Sequence, residues 1–269
     1  MSQKIAWITG ASSGIGRALA REYNKRGFTV VLSARRKEEL DITAQSLEHP
    51  KDCFVFPIDL AQHENATHWV QTVLEKFGHV DVLINNGGMG HLGTAMEMPL
   101  EEERRVMEVN FWGGVALTKE LLPYMKDHYG SQIWTVASIL GYFGSPELAA
   151  YAASKFAVIG YFESLQYEMR SAGVHVGIVN PGFVNTSVTL QSIGPDGKPI
   201  ERNSKAQENG MDTEVFAQKF YRRASKRRPP RQLFIGRYEL AAVPFKRYLP
   251  SLFFRIYGNM TDITRKKKY

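Results

Sequence analysis

A strand, a glycine-rich turn and a helix follow one another within the first 26 residues. Residues 5–9 have the pattern of a short buried strand, the turn Gly10-Ala-Ser-Ser-Gly-Ile-Gly16 follows, and residues 17–26 have a helical pattern. Glycines allow a tight turn and a close backbone approach, so the amides of the helix N-terminus can hold a diphosphate. This order predicts a parallel sheet that binds a dinucleotide at the carboxyl ends of its strands.

The same alternation of strands and helices continues along the chain. Strand-like segments recur at residues 27–33, 53–57, 81–85, 131–137, 174–179 and 231–236, with helical segments between most of them. We therefore predict an α/β fold: a single Rossmann-type doubly wound domain over residues 1–236, with a parallel sheet of about seven strands flanked by helices on both faces. Residues 185–210 are polar and rich in Gly, Pro, Asn and Ser, which predicts a mobile substrate lid.

The end of the second strand bears on the choice of dinucleotide. An acidic residue there would bond the adenosine ribose 2′-hydroxyl, but the chain has Ser33-Ala-Arg35-Arg36. Planar guanidinium groups suit a 2′-phosphate, so we predict a preference for NADP(H). The alternative interpretation is a pair of solvated loop arginines.

Tyr151 and Lys155 lie four residues apart in a segment whose composition favours a helix. Side chains at that spacing share one helix face, and a nearby positive charge favours the phenolate and lowers the pKa of the phenol. The two side chains therefore suit general acid/base chemistry. Considered alone, the same spacing is also typical of solvated neighbours on a helix surface.

Two polar residues are further candidates for the same site. Ser138 stands where the fifth predicted strand ends, thirteen residues before Tyr151, so the chain can loop back and bring hydroxyl and phenol together. Asn110 lies within a long helical stretch, residues 99–129, where the adjacent Gly113 and Gly114 predict a kink. A kink can free a backbone carbonyl for a water molecule, although a plain structural asparagine is the default interpretation.

Together these residues resemble, in order and spacing, the motifs of the classical short-chain dehydrogenases/reductases. The matching motifs are Thr9-Gly-Ala-Ser-Ser-Gly-Ile-Gly16, Asn85-Asn-Gly-Gly88, Asn110, Ser138, Tyr151-x-x-x-Lys155 and Pro181-Gly182. The resemblance extends to about Gly236. It implies that Tyr151 is the general acid/base, that Lys155 lowers its pKa and holds the nicotinamide ribose, that Ser138 orients the carbonyl, and that Asn110 supports a proton-relay water.

The resemblance and the strand ends together predict the cofactor contacts and the reaction. The predicted cofactor-binding residues are Gly10, Ser12, Ser13, Gly14, Ile15, Gly16, Ser33, Arg35, Arg36, Asp59, Leu60, Asn86, Gly87, Tyr151, Lys155, Pro181, Gly182, Val184 and Thr186. We predict hydride transfer between NADP(H) and a small-molecule carbonyl or secondary alcohol. The residues predicted to border the carbonyl are apolar or aromatic, which favours a bulky apolar ketone, steroid or acyl chain: Met89, Ile139, Leu140, Tyr142, Phe143 and Phe183. The alternative is that these side chains only pack beneath the lid.

Two other functions are compatible with parts of this pattern. An NADPH-binding sensor or scaffold protein without turnover would share the glycine turn, but the complete set of Ser138, Tyr151 and Lys155 argues against it. An epimerase of the extended branch would share the Tyr and Lys. Such an epimerase would have a GxxGxxG turn and a much longer C-terminal part.

Residues 237–269 form a C-terminal extension of unusual composition. From residue 222 to the end there are fourteen Lys or Arg against two acidic residues, about +12, whereas the first 221 residues have 20 basic against 25 acidic residues. The basic charge thus belongs to the tail, which argues against a nucleic-acid-binding core. The extension resembles those of hydroxysteroid-type members of the family, and we expect a subunit interface, in a homodimer or homotetramer, or peripheral contact with a membrane. The subunit interface is favoured.

The remaining composition bears on redox state, metals and location. A single cysteine, Cys53, rules out an intramolecular disulfide and any CxxC site. The seven histidines show no ligand spacing along the sequence, so no metal is predicted: His49, His63, His68, His79, His91, His128 and His175. The first strand begins too early for a signal peptide, so we expect a cytoplasmic protein, with a peripheral position at a membrane surface as the alternative.

Overall fold

The computed structural model describes residues 3–186, 192–200 and 208–261. Its strands are β1 (Lys4–Thr9), β2 (Phe28–Ser33), β3 (Cys53–Val55), β4 (Val82–Asn85), β5 (Gln132–Val136), β6 (His175–Pro181) and β7 (Gln232–Ile235). The α-helices within the described ranges are α1 (Gly14–Lys25), α2 (Lys37–Gln45), α3 (Ala66–Phe77), α4 (Leu100–Met107), α5 (Gly113–Lys126), α6 (Ala149–Glu168), α7 (Thr213–Ala224), α8 (Ala242–Tyr248) and α9 (Pro250–Met260).

The seven strands form one parallel sheet in the order β3-β2-β1-β4-β5-β6-β7. The predicted doubly wound sheet is confirmed. The chain leaves β1 in one direction for β2 and β3 and in the other for β4 to β7, so a crevice opens where the order reverses. All strands end at the same edge, which brings the turns after β1, β2, β4 and β5 together.

Apolar cores cover both faces of the sheet, as the buried strands require. One core contains Trp7, Leu83 and Phe162, and the other contains Ile8, Trp134 and Phe216. Successive residues of β1 point into opposite cores because side chains alternate along a strand. This sandwich of helix, sheet and helix holds the strand ends rigidly in place.

Strand β6 is longer than the sequence predicts. The predicted strand ends at Val179, yet the observed strand continues to Pro181, which pairs with Ile235 of β7. The bond to β7 is donated by the N–H of Gly182 to the carbonyl oxygen of Ile235, at 2.9 Å. On its other side β6 pairs with β5, which ends at Val136. No residue of β5 therefore lies opposite position 181 to accept a hydrogen bond from an N–H there, and a proline is tolerated.

The kink predicted in the long helical stretch is a π-helical turn, Glu108–Trp112, between α4 and α5. Such turns widen the helix by one residue and are frequent at functional sites. Here the turn presents Asn110 toward the loop after β4. The glycine that follows, Gly113, packs closely on Leu60, where a Cβ would lie 2.6 Å from the Leu60 carbonyl oxygen.

The C-terminal extension packs against the loop that follows β5. The ring of Phe253 on α9 lies 5.2 Å from that of Phe143 and 5.1 Å from that of Tyr257, measured between centroids. The Tyr257 hydroxyl donates a hydrogen bond to Ser145 Oγ at 3.0 Å. Among the described residues no helix is long and apolar enough to cross a membrane.

Part of the predicted lid, residues 192–200, forms a short hairpin held against the loop after β4. The N–H of Ile193 donates to the Gly90 carbonyl at 3.1 Å, and the N–H of Leu92 donates to the Ile193 carbonyl at 3.0 Å. Residues 187–191 and 201–207 lie outside the described residues, so the mobility of the lid stays a prediction.

Candidate active site

A cleft runs along the carboxyl ends of the strands, across the point where the strand order reverses. It is lined by Thr9, Gly10, Ser12, Ser13, Gly14, Ile15, Ser33, Ala34, Arg35, Arg36, Ile58, Asp59, Leu60, Asn86, Gly87, Gly88, Met89, Val109, Val136, Ala137, Ser138, Tyr151, Lys155, Pro181, Gly182, Val184 and Thr186. Every residue predicted to contact the cofactor lies on this surface except Gly16. Of the four predicted catalytic residues, Ser138, Tyr151 and Lys155 line the cleft.

The turn after β1 requires glycine at three positions for two different reasons. Gly10 and Gly14 have positive φ angles of 66° and 52°, a region that favours glycine. Gly16 is buried, and a Cβ there would overlap the carbonyl of Gly10. Gly16 therefore serves the close packing of α1 on the turn, which explains why it does not line the cleft.

The turn after β4 is tied directly to the glycine turn. Asn86 Nδ2 donates to the Thr9 carbonyl at 3.0 Å, and the N–H groups of Asn86 and Gly87 both donate to Thr9 Oγ1, at 3.0 and 2.9 Å. These bonds fix the two turns as one unit. They also explain why Thr9, the first residue of the glycine motif, matters for the shape of the cleft.

The end of β2 presents two arginines to solvent. Arg35 and Arg36 are exposed, and neither guanidinium forms an ion pair or hydrogen bond with another described residue. The Ser33 hydroxyl accepts a hydrogen bond from Trp7 Nε1 at 2.9 Å, and the contact of Ser33 with the cofactor stays a prediction. The arginines are thus the free cationic groups at this end of the cleft among the residues that the structure describes.

Lys155 is almost fully buried, and this burial is the main influence on the pKa of its ammonium group. Its ammonium donates to the Val136 carbonyl at 3.0 Å and lies 5.6 Å from the centre of the Tyr151 ring. Loss of hydration lowers the pKa of Lys155 to about 8. The residue still carries a proton for most of the time at neutral pH.

The pKa of Tyr151 is raised, not lowered as the sequence predicts. Removal of the phenol from water raises its pKa, and a hydrogen bond with the Ser138 hydroxyl partly lowers it. The prediction counted only the charge of Lys155 and ignored the loss of hydration that the surrounding helix and strands impose. A protonated Tyr151 in contact with Ser138 is a group able to donate a proton.

Asn110 is held in place by both ends of its amide. Its Oδ1 accepts from the Met89 N–H at 2.7 Å, and its Nδ2 donates to the Met89 carbonyl at 2.9 Å and to Ser154 Oγ at 3.0 Å. The side chain thereby joins the loop after β4 to α6, beside the cleft rather than on its surface. The role in a proton relay stays a prediction.

The apolar residues predicted to border the carbonyl are divided between two places. Met89 lines the cleft, whereas Phe183 is 38% exposed and is not among the lining residues, although its neighbours Gly182 and Val184 are. Ile139 and Phe143 are instead buried in the cluster around Phe253 of the extension. These two side chains pack with the C-terminal extension, whereas the alternative interpretation placed them beneath the lid.

Glu239 is the residue that the sequence analysis missed most clearly. It is only 9% exposed, and its Oε1 accepts hydrogen bonds from the N–H groups of Phe183 and Arg237, both at 3.0 Å. A Cβ on Gly182 would overlap this oxygen. One of only two acidic residues in a basic, aromatic extension, Glu239 could have been identified by this contrast in the sequence.

The parallel sheet, the glycine turn and the Tyr151 and Lys155 pair define a class, the Rossmann-fold oxidoreductases. The model of the short chain dehydrogenase family matches residues 4–194. The chain belongs to the short-chain dehydrogenase/reductase family. Mouse dehydrogenase/reductase SDR family member 7B is 32% identical to it over 269 residues, which covers 98% of this chain and 83% of the mouse protein.

Solved structures resemble the whole domain. A short chain dehydrogenase/reductase from Burkholderia phymatum in complex with NAD has a TM-score of 0.83 at 25% identity, covering 93% of this chain and 95% of that one. An alcohol dehydrogenase from Thermococcus sibiricus, complexed with 5-hydroxy-NADP, has a TM-score of 0.75 at 26% identity, covering 88% and 98%.

Proposed function

We propose that this protein is an NADP(H)-dependent oxidoreductase that interconverts a carbonyl and a secondary alcohol. One observation carries the proposal: Ser138, Tyr151 and Lys155 line the same cleft as the glycine turn. A proton donor thus stands beside a site shaped for a dinucleotide. The sensor alternative has no specific observation in its favour, because no member of this catalytic set is missing.

The residues of the cleft fit a nicotinamide dinucleotide. The turn of Gly10 and Gly14 offers its amides at the start of α1 to a diphosphate, and Thr186 lies opposite, where a Cβ on Gly14 would be 3.1 Å from its Cγ2. The remaining predicted cofactor residues on the cleft surface would surround the adenosine and the nicotinamide ends. When bound, the nicotinamide supplies or accepts the hydride.

The side chains supply the proton and stabilise charge. The Ser138 hydroxyl faces the Tyr151 phenol and partly lowers its pKa, and in the reduction both hydroxyls would contact the carbonyl oxygen of the substrate. Tyr151 would donate its proton to that oxygen. Lys155, fixed by the Val136 carbonyl, keeps a positive charge near the phenolate that forms, which favours the charged product of the transfer.

An apolar substrate is supported by Met89 on the cleft surface and by the absence of a cationic side chain near Tyr151 other than Lys155 among the lining residues. A panel of carbonyl compounds, from small ketones to steroids and acyl derivatives, followed by NADPH consumption, tests the function directly. Turnover of none of them would count against an oxidoreductase acting on carbonyls.

The choice of NADP(H) is proposed from Arg35 and Arg36. Both are exposed at the end of β2 without a partner among the described residues, and each can pair with a 2′-phosphate. The double substitution of Arg35 and Arg36 by Ser is expected to lower kcat/KM for NADPH by roughly 10²- to 10⁴-fold and leave NADH nearly unchanged, since each of the two charged hydrogen bonds contributes about 1.5–3 kcal/mol.

The matched control is Arg17→Ser, which removes a cation near the same turn that is already paired with Glu39 at 2.9 Å. It is expected to affect both cofactors alike. Equal kcat/KM for NADPH and NADH in the wild type would contradict the preference.

We further propose that the extension contacts a second copy of this chain. On α9 the side chains of Phe254 and Met260 are 78% and 71% exposed, although Phe253 beside them is buried. Phe254→Ser is therefore expected to shift the assembly toward monomers in multi-angle light scattering, whereas Met96→Ser, at a residue 98% exposed elsewhere, leaves it unchanged. Co-sedimentation with anionic vesicles, without any change of assembly, would favour the membrane alternative instead.

A further inference from the structure

Three potential metal ligands converge at the edge of the sheet opposite the cleft. His79, Asp81 and His128 each place one ligand atom within 4.8 Å of the other two. His79 and Asp81 lie between α3 and β4, and His128 follows α5. Asp81 precedes β4 and Asn86 follows it, which separates this cluster from the cleft by roughly 16 Å of extended chain.

The carboxylate of Asp81 is fixed by the sheet. Its Oδ2 accepts a hydrogen bond from the N–H of Ile5 in β1 at 2.6 Å. Its own N–H donates to the Ile5 carbonyl at 3.0 Å, and its carbonyl accepts from the N–H of Gln132 at 2.8 Å. Asp81 is thus positioned by two strands and needs no rearrangement to act as a ligand.

The two imidazoles approach this carboxylate from different sides. His128 Nε2 lies 2.9 Å from Asp81 Oδ1, and His79 Nε2 lies 3.3 Å from Asp81 Oδ2. The centres of the two rings are 4.7 Å apart. Both nitrogens that face the cluster are therefore Nε2 atoms, which are common metal ligands when the imidazole is neutral.

One of these nitrogens has no hydrogen bond. His79 Nε2 is shielded from water and forms none with any residue that the structure describes, despite its distance to Asp81. A buried polar atom without a partner is unfavourable, and coordination of a metal ion would satisfy this nitrogen. A purely hydrogen-bonded cluster accounts for His128 and Asp81 but leaves His79 Nε2 unsatisfied.

We propose that His79, Asp81 and His128 bind one Zn²⁺ ion. Imidazole nitrogen and carboxylate oxygen are ordinary zinc ligands, and bonds of about 2.0–2.2 Å in a tetrahedral site place neighbouring ligand atoms roughly 3.3 Å apart. The two nitrogens lie 2.9 and 3.3 Å from the oxygens of Asp81, and one ligand atom from each residue lies within 4.8 Å of the other two, so a small inward shift would bring all three to an ion. The three side chains are 22–37% exposed, so the ion can enter and a water molecule can complete the fourth position.

Zinc at this position would link three parts of the chain. The ligands come from the end of α3, the residue before β4 and the residue beyond α5, and Asp81 is joined in turn to β1. An ion that binds the folded chain and not the unfolded chain raises thermal stability in proportion to the logarithm of its concentration. This inference does not depend on the proposed oxidoreductase function.

The test uses the untagged full-length chain, freed of metal with a chelator and then dialysed. Titration with Zn²⁺ in a calorimeter is expected to show one site per chain, and Zn²⁺ is expected to raise Tm where Mg²⁺ does not. His79→Gln and His128→Gln should each weaken Zn²⁺ binding at least about tenfold, since even residues that only support metal ligands affect affinity by that much. The exposed His68→Gln serves as the matched control and should bind as the wild type does.

Absence of Zn²⁺ binding to the wild type, or equal affinity in all three variants, would overturn the proposal. If a Gln variant fails to fold, as judged by circular dichroism, the wild type loaded with Co²⁺ decides the question. An intense visible absorption of tetrahedral Co²⁺ supports the site, and the weak spectrum of hydrated octahedral Co²⁺ refutes it.

Discussion

Replacing Tyr151 with phenylalanine is expected to lower kcat by about 10²- to 10⁴-fold, the usual contribution of a general acid. The ring remains in place near Lys155, and only the hydroxyl that contacts Ser138 is removed. The dissociation constant for NADPH should change little, because the glycine turn and the turn after β4 remain intact. Steady-state turnover on a responsive ketone and fluorescence titration with NADPH measure the two quantities separately.

Tyr161→Phe is the matched control, because Tyr161 lies on the same helix and its ring contacts Phe111 and Phe162 rather than the cleft. It should retain the activity of the wild type. Activity of Tyr151→Phe above a tenth of the wild-type value would refute the assignment of Tyr151 as the acid. Loss of NADPH binding together with activity would instead indicate a structural defect.

Local patterns made most of the fold and much of the cleft predictable. The glycine turn after β1 and the pair of Tyr151 and Lys155 depend on residues a few positions apart, so spacing alone places them. Buried strands are visible as apolar runs, and a parallel sheet brings their carboxyl ends together. The position of Ser138 at the cleft is therefore predictable, because Ser138 follows the carboxyl end of a buried strand.

Contacts between distant segments could not be predicted in this way. His128 meets Asp81, 47 residues earlier, only because β4 and β5 are neighbours in the sheet. Phe143 is buried because α9 covers it, and a hydrophobic loop residue gives no sign of which segment will do so. The direction of the Tyr151 pKa depends on the balance of burial against hydrogen bonding, which spacing does not report.

Glu239→Ala is expected to raise KM for NADPH by roughly 10- to 100-fold, with a smaller effect on kcat. The carboxylate is the acceptor for the N–H groups of Phe183 and Arg237, and Pro181 and Gly182 on the adjoining turn line the cleft. Leaving a buried N–H without an acceptor costs about 1–3 kcal/mol. The turn would then lose its fixed position. Removal of the carboxylate should therefore weaken cofactor binding more than it slows proton transfer.

The control separates the hydrogen bonds from the charge. Glu239→Gln keeps a side-chain oxygen in place of Oε1 and should restore most of the affinity for NADPH, while the exposed Glu75→Ala should have no effect. If Gln were as harmful as Ala, the negative charge rather than the two hydrogen bonds would be the cause. An unchanged KM for NADPH in Glu239→Ala would mean that the turn after β6 keeps its position without the hydrogen bonds to the Glu239 carboxylate. Affinity restored by Gln would instead show that the C-terminal extension, through one oxygen atom, helps to shape the cofactor site.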